Sequence, residues 1–429
     1  MLDLNLIRAD PGRVSRALER RGVDVSFDEL LELDTEARRL RVRTDAARAE
    51  RKASSARVGR RDGGDDASVE EARQRSIELG KELDELDGRL KALEPRIQHF
   101  LEVLPNVVDD DVPTGGKESN VELRRSGAPQ QFDFAPRDHV ELAGSLGLID
   151  YERGAKLAGS GFWVYTGVGA QLEWALLNYF IDSHLRDDYT FTLVPHLLRE
   201  ETGYAAGQFP KFADDVFLLE PDSDGARDRF LLPTSETALV GLHTNETLEE
   251  AALPKKYFSY TPCYRREIGS YRSTDRGTLR GHQFNKVEMF QIVRPEDSDA
   301  AHEELIDKAE RLVAGLGLHY RVALLAAGDT SASMAKTCDI EVWLPSLDSY
   351  LEVSSVSNAR DFQARRGKIR FKPKHGKSSF VHTLNGSGLA TSRLLPAILE
   401  QQQQADGSVV VPEVLQQWVG SARLHPTAR

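Results

Sequence analysis

Cysteine is nearly absent from this chain of 429 residues: Cys263 and Cys338 stand alone, 75 positions apart. That spacing supplies neither a zinc cluster nor a disulfide scaffold, so no zinc is expected and a reducing cytoplasm is the expected setting. No apolar run approaches the roughly 20 residues that span a bilayer. The opening MLDLNLIRAD lacks both the basic region and the apolar stretch of a secretory signal. No membrane partner is therefore expected. An excess of cations is missing too: 56 basic residues face 68 acidic ones, a formal net charge of −12. This argues against a general nucleic-acid coat but leaves room for a local basic patch. What is present is an ordinary globular composition, 40% apolar and 29% charged, over a length that suits about two or three domains.

From about Leu30 to Phe100 the pattern predicts two long helices. Leu79, Leu83, Leu86, Leu90, Leu93 and Ile97 alternate spacings of four and three, a seam that faces a partner helix. Leu30, Leu33, Ala37, Leu40, Thr44 and Ala47 repeat that spacing before the stripe fades through Arg51 and Ser54. Between the two lies GRRDGGDD, Gly59 to Asp66, rich in turn formers. Two helices joined by a short turn run antiparallel, so a helical-hairpin arm is predicted. Between Thr35 and Arg61 ten basic residues face three acidic ones, a local charge of +7. A solvated coiled-coil face explains such charge. An arm that binds a phosphate backbone explains it equally, since Arg and Lys gain by releasing counterions.

Asp109 to Asn120, polar with Gly and Pro, reads as a linker, which divides the chain into residues 1–108, 109–120 and 121–429. Beyond it, Leu172 to Leu185 reads as an apolar-rich helix and TFTLVP, ending at Pro195, as a strand. Strand runs recur at YFSYTPCY, FNKVEMFQIV, IEVWLP and YLEVSSVS, and Asn385 to Glu400 reads as a Gly-rich turn entering a helix. The predicted fold is α+β: the arm, then an antiparallel sheet flanked by helices.

Three familiar motifs fail. Gly376-Lys377-Ser378 would end a P-loop only if position 371 were glycine, and it is Phe371. His302-Glu303 would open a zinc-protease helix only if position 306 were histidine, and it is Ile306. No G-x-G-x-x-G follows a strand. Arginines and carboxylates offer another way to hold phosphates. Tyr260 to Phe290 reads as strand, long loop, strand: Arg265, Arg266 and Glu267 close the first strand, Arg272, Arg276 and Arg280 lie in the loop, and Glu288 sits on the return. Arginine's rigid fork of donors suits phosphate oxygens, although a charged hairpin is also an ordinary solvated edge. LEVSSVSN places Glu352 beside Ser354 and Ser355, oxygen donors of the kind magnesium takes. TLNGSGLATSRLL carries Arg393.

In this order the segments resemble motifs 2 and 3 of class II aminoacyl-tRNA synthetases, and in detail the seryl-tRNA synthetase family. PTSE (Pro233 to Glu236), TPCYRRE, RGHQFNKVEMFQIVRPEDS, EVWLP, EVSSVSN, DFQARR and HTLNGSGLA carry the likeness. It extends over nearly the whole chain, and the helix and strand ending at Pro195 fit motif 1, the family's dimer-interface element. The resemblance implies a class II catalytic sheet, an N-terminal tRNA-binding domain with its coiled-coil arm, and a homodimer. It also implies a two-step reaction. The serine carboxylate attacks the α-phosphate of ATP, and the terminal ribose of tRNA(Ser), with tRNA(Sec) as a second substrate, then takes the seryl group.

By that resemblance Arg265, Arg393 and Glu352 are catalytic. Arg265 bridges the serine carboxylate and the α-phosphate, and Arg393 holds the γ-phosphate. Arg266, Glu267, Phe284, Val353 and Ser354 join them around ATP, with Glu267 on the adenine and Phe284 stacked against it. Glu352 and Ser355 would carry Mg2+. L-serine is assigned to Thr234, Ser235, Glu236, Arg265, Glu288, Asn385 and Ser387; buried polar partners reject analogues that lack the hydroxyl. The tRNA-binding candidates are Arg38, Arg41, Arg48, Arg51 and Lys52. The chain departs from the usual pattern in Thr-Ser-Glu for Thr-Ala-Glu, in EIGSYRSTDRG for EAGSAGRDTRG, and in GLATSRLL for GLAVGRTL, yet every charged group that the mechanism needs is present. Two other readings stand beside it. One is a paralogous serine-activating enzyme serving antibiotic resistance or natural-product biosynthesis. The other is a non-catalytic RNA-binding or coiled-coil protein, which the intact Arg265, Glu352 and Arg393 disfavour.

Overall fold

The computed structural model describes residues 1–59, 66–220, 229–268 and 276–427. The centre of the expected Gly59–Asp66 turn, with Arg60 and Arg61, lies outside the described residues, as do Tyr271 and Arg272. The chain divides into two compact units: Leu2–Glu19 with Val23–Leu104, and Met1, Arg20–Gly22 and Pro105–Arg429.

The first unit holds two short helices, α1 (Leu4–Ala9) and α2 (Pro11–Glu19), and two long ones, α3 (Asp28–Gly59) and α4 (Asp66–Val103). With 32 and 38 residues, the long pair extends for roughly 50 Å at about 1.5 Å per residue. The predicted seam is the buried one: Leu30, Ala37, Leu40, Thr44 and Ala47 of α3 face Leu79, Leu83, Leu86, Leu90 and Ile97 of α4. Ion pairs across it join Glu29 to Arg96, Arg43 to Glu82 and Glu50 to Arg75, each at 2.8 Å. Rising numbers on one helix meet falling numbers on the other, so the helices are antiparallel. Asp34 interrupts the apolar stripe and is 1% exposed. Two charge-assisted bonds from Arg8 of α1, at 2.7 and 2.5 Å, and Arg38 at 3.1 Å supply the partners that a buried carboxylate requires.

The second unit is built on eight strands: β1 (Val121–Ser126), β2 (Thr190–Phe191), β3 (Lys255–Tyr264), β4 (Gln283–Val293), β5 (Tyr320–Leu324), β6 (Lys336–Leu344), β7 (Ser349–Arg360) and β8 (His382–Ala390). Their spatial order is β1-β5-β6-β7-β8-β4-β3-β2. Every pairing is antiparallel except that of β2 with β3 at the edge. Helices α5 (Val168–Arg186), α7 (Ser298–Gly315) and α9 (Thr391–Gln401) share one apolar cluster with the sheet. A smaller cluster gathers α6 (Ser235–Gly241) and α8 (Phe362–Gly367) with Cys263, Phe290 and Ile292 on the other side. Among the described residues no helix is long and apolar enough to cross a membrane.

Three local expectations are corrected. Arg265, Arg266 and Glu267 follow β3 instead of closing it, because the strand ends at Tyr264. TFTLVP contributes only the two residues of β2; it is an edge strand, and Pro195 has no N–H for a ladder. Asn385 to Ala390 is not a turn but the end of the central strand β8. Its glycines answer to packing: a Cβ on Gly386 would crowd Val356, and one on Gly388 would overlap the His184 imidazole. His184, fully buried on α5, faces the Gly388 carbonyl through Nε2 at 3.0 Å. A carbonyl only accepts, so Nε2 carries the proton, and burial lowers the ring's pKa to about 4. Gly388→Ala is expected to cost about 1–3 kcal/mol through this overlap. Gly144→Ala, where the new methyl meets nothing within 4 Å, serves as control. Urea midpoints of the two variants measure the difference, and equal midpoints would refute it.

Candidate active site

Strand alternation builds the cleft. Along β4, Val287, Met289 and Val293 enter the helical core. Phe284, Lys286 and Glu288 stand on the opposite face, in register with Phe290 and Ile292 of the smaller cluster. β8 adds Asn385 and Ser387 beside them. On β7 a bulge leaves Val353 unopposed between Ser354, paired with Ile340, and Glu352, paired with Glu341. That extra residue brings Glu352 and Ser355 to one cleft although they are three positions apart.

Arg265 is clamped at the cleft's centre. Its N–H donates to His282 O at 2.9 Å, its Nε donates to Pro233 O at 3.2 Å, and its guanidinium lies 5.1 Å from the Phe284 ring centre. Glu267, in the left-handed region at φ 50°, pairs closely with Arg280. Arg393, in the first turn of α9, donates from Nε to Leu279 O at 3.1 Å and from Nη1 to Glu352 O at 2.9 Å, and it meets the Glu352 carboxylate at 3.2 Å. Burial opposes the charge on Glu352, yet Arg393, Arg265 and Lys286 outweigh it and hold the carboxyl below its ordinary value. Asp339 lies behind, cross-strand from Ser355. Burial first, then the charge of Glu352, raises it well above the carboxylate range, and its Oδ1 has no hydrogen-bond partner.

A second group of charges lies beside the first. Thr234 caps α6, and its Oγ1 accepts from the Glu236 N–H at 3.3 Å and from Lys286 Nζ at 2.7 Å. With both lone pairs taken, its own proton is free to be donated into the cleft. Lys286 also pairs closely with Glu288, whose Oε1 accepts from Asn385 Nδ2 at 3.1 Å. Glu236 has a different partner, the amide of Gln363, which donates to its Oε1 at 2.7 Å. Burial, then the charge of Glu288, pushes the Glu236 carboxyl up to about 7, against the opposing pull of Gln363, Lys286 and Arg265.

The cleft thus collects Arg265, Glu267, Phe284, Glu352, Val353, Ser355 and Arg393 with Thr234, Glu236, Glu288, Asn385 and Ser387. Three expected residues stand apart. Ser235 is fully buried, its hydroxyl turned to Ser259 O at 3.5 Å. Ser354 is fully buried and donates to Ser387 O at 2.7 Å. Arg266 is exposed and reaches the Asp214 and Asp215 carbonyls. Sequence reasoning missed Lys286, Gln363 and Asp339. The period of two from Phe284 through Glu288 was signal enough for Lys286; nothing local marked the other two.

Magnesium fits the oxygen donors of Glu352 and Ser355. Among the described residues no three acidic, His or Cys side chains could hold an ion by themselves, so such an ion would need oxygens from a phosphorylated substrate. On the arm, Arg38 meets Asp34, Arg41 meets Glu94 at 2.8 Å and Arg48 meets Asp87 at 3.0 Å. Among the described residues Arg51, Lys52 and Arg57 have no carboxylate partner, so uncompensated positive charge gathers in the last turns of α3.

Comparison with known proteins agrees with this geometry. Residues 1–108 match the family model of the seryl-tRNA synthetase N-terminal domain, and residues 217–402 match the class II tRNA synthetase core domain (G, H, P, S and T). The chain is similar to serine–tRNA ligase 2 of Clostridium acetobutylicum, 56% identical over 99% of this chain and 100% of that protein. It is 46% identical to serine–tRNA ligase of Thermotoga maritima, over 98% and 99%. Among solved structures, the seryl-tRNA synthetase of Pyrococcus horikoshii complexed with ATP superposes with TM-score 0.91, 34% identity and full coverage of both chains.

The buried charges make one direct prediction. Lys286→Met strands Glu288 without its cation and should cost about 3–5 kcal/mol of stability. Adding Glu288→Gln should restore most of the loss. Denaturant titration of the two single variants and the double variant measures the coupling, and additive losses would contradict it.

Proposed function

We propose, for a chain that belongs to the seryl-tRNA synthetase family and is a serine–tRNA ligase, that L-serine and ATP meet at Arg265 and that the seryl group then passes to tRNA(Ser). The observation that carries this reading is the meeting of two sets of charges at one clamped arginine. Arg265, Lys286 and Glu352 line both the part of the cleft that holds Phe284 and Arg393 and the part that holds Glu236 and Glu288. Attack of a carboxylate on a phosphate crowds negative charge, so alignment and neutralisation by fixed cations supply the catalysis. Arg265 draws the two anions together, Arg393 holds the outer phosphates, and the adenine lies between Phe284 and Glu267. Glu352 and Ser355 would hold magnesium, which would supply further neutralisation of phosphate charge.

Charge balance assigns the two pocket carboxylates. Glu288 already has Lys286 as its cation, so it is suited to accept from the serine hydroxyl. Glu236 is bonded to a neutral amide and gains most from an incoming cation, so it takes the α-ammonium. tRNA is gripped by the arm, foremost at Arg51 and Lys52, with Arg38 adding the outer face of a guanidinium held by the buried Asp34, and Arg41 and Arg48 adding charge once their exposed ion pairs open. Such pairs are worth only about 0–1 kcal/mol each. A cytoplasmic setting goes with this reading, and tRNA(Sec) is a second acceptor. A homodimer is supported by apolar side chains left open on α5, on β2 and just after it: Trp174, Leu185, Phe191 and Leu193 are 38–73% exposed, apolar surface of the kind a second copy covers.

A second reading is a duplicate synthetase, which the name of the 56%-identical relative, a numbered second ligase, supports; tolerance of a serine-mimicking antibiotic would be one use of such a duplicate. Charging of total tRNA with labelled serine, threonine and alanine tests the main proposal. Serine-only labelling is expected, and serine-dependent pyrophosphate exchange without tRNA labelling would move the assignment to another acceptor. Arg265→Ala should abolish exchange while leaving tRNA binding largely intact. The Glu236 carboxyl near 7 adds a pH signature. Its protonated form cannot attract an ammonium, so kcat/KM for serine should fall about tenfold per pH unit well below 7. A flat profile between pH 5.5 and 7.5 would contradict the role given to Glu236.

A further inference from the structure

We propose that Gln363 is the positioning residue of the serine pocket: through a fully satisfied buried amide it fixes the carboxylate of Glu236 in the orientation that receives the substrate ammonium. The inference rests on the role just given to Glu236 and deepens it. Gln363 lies on the short helix α8 and is 1% exposed. Its Nε2 donates to Ala206 O at 3.0 Å and to Glu236 Oε1 at 2.7 Å, and its Oε1 accepts from Thr383 Oγ1 at 2.6 Å.

These partners leave no freedom. The Ala206 carbonyl can only accept, so the amide nitrogen must face it, and that choice directs the second N–H at Glu236. Thr383, fully buried on β8, holds the amide oxygen; the flipped orientation is excluded because it would set Oε1 against both the carbonyl and the carboxylate, neither of which donates. Any rotation of Gln363 therefore strands buried polar groups. Glu236 is anchored at Oε1, and its other oxygen is left to the cleft.

The same bond controls when Glu236 is charged. Three charged groups face Glu236: Glu288 and Lys286 from β4, and Arg265 from the segment after β3. Burial and Glu288 favour the neutral acid; Gln363, Lys286 and Arg265 favour the carboxylate. Removing the amide N–H removes the first of these opposing contributions, so the pH at which serine recognition is lost must move upward.

Gln363→Met keeps length and volume but cannot donate. The variant is expected to raise KM for serine at least about tenfold, the scale of one hydrogen bond to a charged group. It should leave KM for ATP within about twofold, and it should shift the acid limb of kcat/KM for serine upward by about one pH unit, the equivalent of that bond. Thr383→Val, which releases the far end of the amide without touching Glu236, should move both serine readouts the same way by a smaller amount, and it carries the test if Gln363→Met fails to fold. A folded variant with unchanged serine KM and an unchanged acid limb overturns the proposal. Glu236→Gln separates the two levels of inference. If it leaves serine KM unchanged, the role of Glu236 itself fails. If it weakens serine while Gln363→Met and Thr383→Val do not, only the positioning role fails.

Discussion

Taking a carboxylate out of water without a partner costs several kcal/mol, and one cleft of this molecule holds Glu236, Glu288 and Glu352 together. Each is compensated differently. Glu288 has Lys286, Glu352 has Arg393 with Arg265 behind it, and Glu236 has the neutral amide of Gln363. The site is therefore not uniformly neutralised. It is short of one cation at Glu236 and has cationic donors at Arg265 and Arg393, which complements a zwitterionic amino acid lying next to a polyphosphate. On the proposed function, substrate binding completes a charge balance that folding leaves open.

The sheet makes that arrangement affordable. Its strands are apolar on one face, where α5, α7 and α9 pack, and polar over part of the other. An antiparallel sheet tolerates such two-sidedness because its second face need not be covered. The bulge on β7 brings a carboxylate and a hydroxyl to the same side, and on β8 Gly388 lets His184 approach the backbone while Gly386 makes room for Val356. Strand pairing on both sides of β8 fixes the floor of the site, and a fixed floor is what alignment chemistry needs.

The arm follows other rules. Its apolar seam is thin, and Ala37, Thr44 and Ala47 contribute little area, so flanking ion pairs and the buried Asp34 cluster help to fix the register. Arg41, Arg43 and Arg48 are shared with acids of α4, and Arg38 and Arg39 with acids of α3 itself. Among the described residues the uncompensated charge is narrower than a count of basic residues suggests, and it lies at Arg51, Lys52 and Arg57.

The sequence by itself determined the two-helix seam, the strand-rich second unit and most of the cleft's chemistry. Heptad spacing and strand alternation are local properties, and both are imposed by the period at which side chains return to one face. Read strictly, that period also placed Lys286 beside Glu288. What local patterns did not hold was anything set by distant neighbours. The glycines of β8 looked like a turn because glycine has the same signature whether it bends a chain or makes room for His184. Ser235 and Ser354 looked like ligands because residue type does not say which way a hydroxyl points. Gln363, 127 residues from Glu236, had no local mark, and only the tertiary structure decided that they meet. Hydrogen bonds across such separations arise from how α8 and α6 pack against the sheet, and packing is a property of the folded whole.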